Sequence, residues 1–218
     1  GIEGNGQSEL IEAITGLKPA DSGIVKLAGN DISKLPVRKR TEAGIGHIPE
    51  DRHKHGLVLD YSLEDNFILQ TYYQPSFSKG GFLNRQAIRE QSEQLIERFD
   101  VRSGQGSTTI TRSMSGGNQQ KAIIAREVVR SPKLLIAAQP TRGLDVGAIE
   151  YVHRELIAER DKGRGVLLIS LELDEILNVS DRVAVIYEGE IVAELNPEKT
   201  TIQELGLYMA GSKKEGGK

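Results

Sequence analysis

Leu134-Leu135-Ile136-Ala137-Ala138-Gln139-Pro140-Thr141-Arg142-Gly143-Leu144-Asp145 is the stretch on which the fold turns. It opens with an apolar run that shows no polar alternation, which predicts a strand buried on both faces. Pro140 and Gly143 break that run into a turn. Residues 148–161 then read as a helix. A second buried strand at 166–169 and a short helix at 173–179 repeat the pattern. Strands of this kind alternating with helices predict an α/β fold with a parallel sheet covered on both sides. Residues 183–186, the turn at Glu188-Gly189 and residues 191–193 read as a terminal hairpin.

Upstream, a Gly/Ser/Thr-rich stretch over 103–115 leads into a helix over about 118–129. Ile88, Leu95, Ile96 and Phe99 give residues 84–99 the spacing of an amphipathic helix. Residues 45–48 form a short strand ending at Pro49. Residues 24–27, a turn at Gly29-Asn30 and residues 31–32 read as a strand and turn. A loop over 1–6 opens a helix over 8–15 that Gly16 can cap. There are no internal repeats.

The 218 residues are 38% hydrophobic and 27% charged, with a formal net charge of -3. That length can bury one core, with or without a subdomain. No apolar run reaches the roughly 18 residues a membrane span needs, so the reading is of a soluble protein able to dock on a membrane protein. With no cysteine, disulfide frameworks and thiolate metal sites are excluded. The slight acidity gives no reason to expect nucleic acid as a partner. Gly1 already stands inside a glycine-rich loop, and the expectation is that strands of the same domain precede it. Residues 211–218 read as a solvated tail.

Three motifs carry chemistry. Gly1-Ile2-Glu3-Gly4-Asn5-Gly6-Gln7-Ser8 fits the phosphate-loop pattern G-x-x-x-x-G-K-[ST] at both end glycines and at Ser8, with Gln7 in the place of lysine. Backbone N–H groups in such a loop wrap phosphate oxygens, and side chains would block the approach. From these residues alone an ordinary glycine-rich strand-to-helix turn reads equally well. A dinucleotide G-x-G-x-x-G fails, because Glu9 stands where the last glycine belongs. Met114-Ser115-Gly116-Gly117-Asn118-Gln119-Gln120-Lys121 puts a serine and two glycines at a helix N-terminus, a second place for an anion. A plain serine cap before a helix is the bland alternative. The third motif is the strand and turn quoted first.

Together these strings resemble the ATP-binding subunits of ABC transporters. The resemblance is to the second, degenerate half of the ATPases of monosaccharide and nucleoside importers, and it covers essentially the whole chain. It implies a P-loop NTPase core of ABC type with a parallel sheet flanked by helices. A helical subdomain over about 56–130 is implied within a domain of residues 1–210. Ser115, Gly116, Gly117, Asn118 and Gln119 match the family's signature, which serves the nucleotide of a partner half. Asp145 matches the D-loop aspartate. Gly1, Gly4, Asn5, Gly6, Gln7, Ser8 and Glu9 match the nucleotide-binding loop, with Ser8 as a weak magnesium ligand.

The departures fall on one side. Ala138 stands for the magnesium-organising aspartate, Gln139 for the catalytic glutamate, Leu171 for the switch histidine and Glu50 for the sensor glutamine, so no catalytic set is intact. The resemblance therefore implies weak binding of ATP or ADP with Mg2+. It implies as partners a first ATPase half of the same protein, two membrane permease subunits and a substrate-binding protein, with no nucleic acid. It places the protein in the cytoplasm, held at the inner membrane face through the permease, which would dock near residues 56–66. Two rival readings stand beside it: an independently active ATPase using Glu50 or Glu172, and an interaction or regulatory domain without nucleotide binding. A soluble ABC protein of DNA repair or translation would need a basic stripe or a long coiled insertion, and the sequence has neither.

Overall fold

The structure, a computed structural model, describes residues 2–213. Gly1 of the expected phosphate loop and residues 214–218 of the expected tail lie outside the described residues.

The chain opens with α1 (Gln7–Thr15), stopped by Gly16, whose left-handed φ of 82° lets its N–H return to Glu12 O. A short antiparallel pair, β1 (Lys26–Leu27) and β2 (Asn30–Asp31), follows. The strand expected over 24–27 is shorter, because Val25 N–H is taken by the Ser33 hydroxyl instead of a ladder. Next come α2 (Val37–Ala43) and β3 (Ile45–Ile48). A single π turn, Arg52–Gly56, is fixed by Asp51, whose carboxylate accepts from His53 N and Lys54 N. The helical half holds α3 (Leu63–Phe67), the β4 (Ser78–Lys79) and β5 (Phe82–Leu83) hairpin, and α4 (Arg85–Arg98).

The second half runs α5 (Gly116–Val129), β6 (Leu134–Ala138), α6 (Val146–Asp161), β7 (Gly165–Ile169) and α7 (Leu173–Val179). It ends in β8 (Val183–Tyr187), β9 (Glu190–Leu195) and α8 (Ile202–Met209). Helices α5 and α6 start two residues earlier than their spacing suggests, since Ser115 and Asp145 cap them. After α8, Ser212 N–H donates to Leu207 O and Lys213 pairs with Glu204.

Strands β3, β6 and β7 form a parallel sheet in the order β3-β6-β7, with β6 buried at its centre. Alternation divides its side chains between two cores. Leu135 and Ala137 join the larger core with α5, α6 and the helical half, through Ile123, Leu156, Leu63 and Phe99. Ile136 and Ala138 join the other with Ile11 of α1, Leu27, Ile32 and Ile45. So α1 and α5 cover opposite faces of the sheet. The helical half shares the larger core with the sheet and closes only a small cluster of its own, Ile68, Phe77 and Ile88. Beyond β7, a groove of about 460 Å³ lined by Val166, Leu168, Val183 and Leu205 separates the sheet from the β8–β9 hairpin.

Candidate functional site

The first helix N-terminus is left open. Gly6 is the N-cap of α1 and offers no side-chain acceptor, so the first amides of the helix have no capping partner from it. The loop before it is held by the β8–β9 turn: Asn5 O accepts from Gly189 N and Asn5 Oδ1 from Glu188 N, each at 2.9 Å. A Cβ on Gly6 would come within 3.0 Å of Gly189 Cα, and φ there is +104°, so glycine is required twice over. Sequence reading missed this support. The signal was the Glu188-Gly189 pair, a turn pair whose φ values of +48° and +81° suit a tight hairpin.

Gln7 does more than fail to be a lysine. Its Oε1 accepts from Asn5 N at 3.0 Å, and its Nε2 donates to Ile2 O at 2.8 Å. The side chain thus folds back over the loop and takes up the Asn5 backbone N–H. Gly4, Ser8 and Glu9 are exposed.

The end of β6 lies beside the end of β7. Gln139 N–H donates to Ile169 O at 2.7 Å, and its Oε1 accepts from Leu171 N at 3.3 Å. Gln139 has φ +46°, an uncommon conformation for a residue with a side chain. Ala138 beside it is 2% exposed and apolar. The structure brings two of the expected positions, Gln139 and Leu171, into direct contact. Glu50 is engaged elsewhere, in a 2.7 Å ion pair with Arg142.

Magnesium is tested against these residues. It prefers six oxygens, usually one or two carboxylates with phosphates and waters. Ala138 offers none, Gln139 Oε1 is occupied, and among the described residues no three His, Cys, Asp or Glu side chains cluster. Of the expected positions only the exposed Ser8 hydroxyl is left to meet the ion, and one hydroxyl does not make a resident magnesium site.

The second helix N-terminus is built differently. Ser115 caps α5, accepting from Asn118 N at 3.4 Å and from Asn118 Nδ2 at 2.9 Å. Gly117 packs against α6: an added Cβ would meet Ala148 Cβ at 3.3 Å, with Asp145 Oδ2 at 3.8 Å. Asp145 itself caps α6 through Ala148 N. Ser115 is exposed, while Gln119 is turned inward, its amide shared between Thr111 O and the His53 ring at 2.9 Å each. Gln119 therefore braces the motif from beneath. No carboxylate sits in the first turn of α5, which leaves its positive end to an outside anion.

These parts make up the architecture of a P-loop NTPase of the ABC type. Among solved structures, the ATP-binding subunit of an ABC transporter superposes with a TM-score of 0.74 at 20% identity, over 96% of this chain and 85% of that one. The dimeric post-hydrolysis state of the cassette MJ0796 bound to ADP and Pi gives 0.71 at 19% identity, over 89% and 82%. At such identities the likeness is one of fold.

Residues 1–142 match the family described as ABC transporter, and the chain belongs to it. It is 59% identical over 219 residues to the guanosine import ATP-binding protein NupO of Bacillus subtilis (strain 168), covering 100% of this chain and 43% of that protein. It is also 59% identical over 211 residues to the nucleoside import ATP-binding protein NupA of Lactococcus lactis subsp. cremoris (strain MG1363), covering 97% and 42%. The chain thus spans less than half the length of these curated relatives. Among the described residues no helix is long and apolar enough to cross a membrane.

Proposed function

We propose that this chain is the passive ATP-binding half of an importer for nucleosides or related sugars. Its own nucleotide site binds ATP or ADP weakly and does not turn it over. Its signature, Ser115 to Gln119, completes the catalytic site of a competent partner half. One observation carries the reading: α1 and α5 cover opposite faces of one sheet, and Ser115 stands exposed at the start of α5, which suits a signature offered to a second half in a head-to-tail pair.

The pattern of losses supports the same division. Gln7, Ala138, Gln139 and Leu171 would all serve the chain's own nucleotide, whereas the partner-serving residues are kept. An amide in place of the carboxylate removes a proton acceptor that contributes about 10²- to 10⁴-fold. The other partners follow from the same reading: two permease subunits, a substrate-binding protein, and a place at the inner face of the membrane. Val58 and Tyr61, 39% and 51% exposed, offer apolar surface in the 56–66 segment for the permease.

An independent ATPase using Glu50 finds little support, since that carboxylate is held by Arg142. The test is steady-state Mg-ATP hydrolysis by this chain, alone and joined to its partner half. No turnover alone, together with loss of the joined activity in Ser115→Arg, is expected. Turnover alone that survives repurification would overturn the proposal.

A further inference from the structure

Arg52 follows Glu50 in the loop after β3, and its guanidinium reaches two of the motifs read from the sequence, the signature and the turn after β6. Its NH1 donates to Arg142 O at 3.0 Å, in the turn after β6. Arg142 in turn pairs with Glu50, two residues before Arg52, at 2.7 Å. The NH2 of Arg52 lies where a Cβ on Gly116, the first residue of α5, would be 3.2 Å away, and where one on Gly143 would be 3.6 Å away. The planar fork is therefore wedged between the start of the signature helix and the turn that leads to Asp145. Its Nε is buried without a hydrogen-bond partner, so the group sits there despite an unsatisfied donor. It also places a cation against the positive end of α5, opposite to the charge that end favours. Neither feature helps the chain fold; both suit an arrangement kept for function.

We propose that Arg52 is a positioning residue that ties the Glu50 loop to the signature, setting how Ser115 and Gly116 are presented to the partner's nucleotide. This rests on the passive-half reading above. Movement of the Glu50 loop reaches Gly116 through one rigid side chain, because Arg142, Arg52 and the helix start are in contact in series. The geometry also explains the glycine at 116. A methyl there would stand 3.2 Å from the fork, a tight approach that couples residue size at 116 to the placement of Arg52. Lysine, a flexible point charge, cannot span the same two contacts.

The experiment uses the chain joined to its competent partner half, with kcat and KM for Mg-ATP measured separately. Arg52→Ala is expected to lower kcat by about tenfold or more with KM nearly unchanged, as misplacement of a catalytic group does. Arg52→Lys is expected to recover little of it. Gly116→Ala is expected to lower kcat in the parent and to add almost nothing in the Arg52→Ala background, as coupled sites do. Thermal unfolding of each variant checks that folding is retained, and Gly116→Ala in the parent and in the Arg52→Lys background carries the test if Arg52→Ala does not fold. Additive losses at 52 and 116, or a rise in KM at constant kcat, overturn the positioning role. Ser115→Arg separates the two ideas. If it abolishes hydrolysis while Arg52→Ala is neutral, this inference alone falls; if Ser115→Arg is silent, the passive-half reading falls and takes the inference with it.

Discussion

Gln139 Oε1 accepts a hydrogen bond from the backbone N–H of Leu171 at 3.3 Å, joining the ends of β6 and β7 through the two positions that the proposed function sets against an acid and a histidine. The amide is thereby used structurally, and the leucine side chain gives the contact no proton chemistry.

Gln139→Glu on its own is accordingly expected to leave Mg-ATP hydrolysis at the no-protein blank. On the proposed reading it restores one acceptor but not the cation expected at Gln7, the carboxylate expected at Ala138 or the imidazole expected at Leu171. A phosphate-release assay on the purified variant decides it, and clear turnover would mean that a general base was the only thing lacking.

Glu127 predicts the largest stability effect. It is fully buried on α5 and accepts from Arg126 Nε, Arg130 NH1, Gln70 Nε2 and His47 N at 2.9 to 3.2 Å. Arg126, 4% exposed, has its other contact to Gly56 O at 2.7 Å. Glu127→Gln removes the charge but nearly keeps the shape, leaving a buried guanidinium uncompensated. Breaking such a pair costs about 3–5 kcal/mol, a large share of a domain's roughly 5–15 kcal/mol. Urea unfolding reads the difference directly; a loss under about 1 kcal/mol would show that the network is not what holds α5 to β3.

Much of this was legible in the chain because the signals were local. The apolar run at 134–138 and the glycine at 16 acted as their types dictate. The cap residues Ser115 and Asp145 set helix starts that periodicity alone placed two residues late. The elements that went unread, α2, α3, α8 and the β4–β5 hairpin, are short or follow no clean period, and tertiary packing decides them. Arg40 illustrates this: buried at 3%, it reaches back from α2 to Ala13 O and Ile14 O at the end of α1. At the site, residue identity supplied the expectation of missing groups that the proposed function rests on. The wiring of Gln7, of Gln139 to Leu171 and of Arg52 to Gly116 depends on approach between distant segments, which spacing does not encode.

His47 sets a pH dependence. On β3, its Nε2 is buried with no partner, and burial lowers its pKa from the usual 6.5, opposed by the nearby Glu127 and assisted by His55 and Arg126. The unfolded chain therefore binds this proton more readily than the folded one. The stability contribution is complete above about pH 6.5 and is lost as pH falls below it toward the folded pKa, at no more than about 1.4 kcal/mol per pH unit. Urea midpoints between pH 7.5 and 5 should fall with acidity, and less steeply in His47→Gln. Parallel curves would assign the slope to other groups. Asp31, Asp51 and Asp100, whose carboxyls are held low by Ser33, by the Lys54 and His53 amides and by Lys121, act only below about pH 4.

The phosphate loop supplies the most direct test of why binding is expected to be weak. Two separate deficits meet at Gln7. It lacks the charge of a lysine, which forfeits a charge-assisted hydrogen bond of about 1.5–3 kcal/mol, and its amide takes the Asn5 N–H at 3.0 Å while donating to Ile2 O at 2.8 Å. Gln7→Lys reverses both, because an ammonium has no acceptor with which to hold Asn5 N–H. Affinity for ATP should rise by about ten- to a hundredfold, read by calorimetry or a fluorescent nucleotide. Gln7→Ala separates the contributions: it frees the amide without adding charge, so any gain it shows measures the self-occupied loop alone. Hydrolysis should stay at the blank in both, because nothing at Ala138, Gln139 or Leu171 has changed. If Gln7→Lys leaves affinity where it was, residues 2–8 are a structural turn, and the chain acts through its signature only.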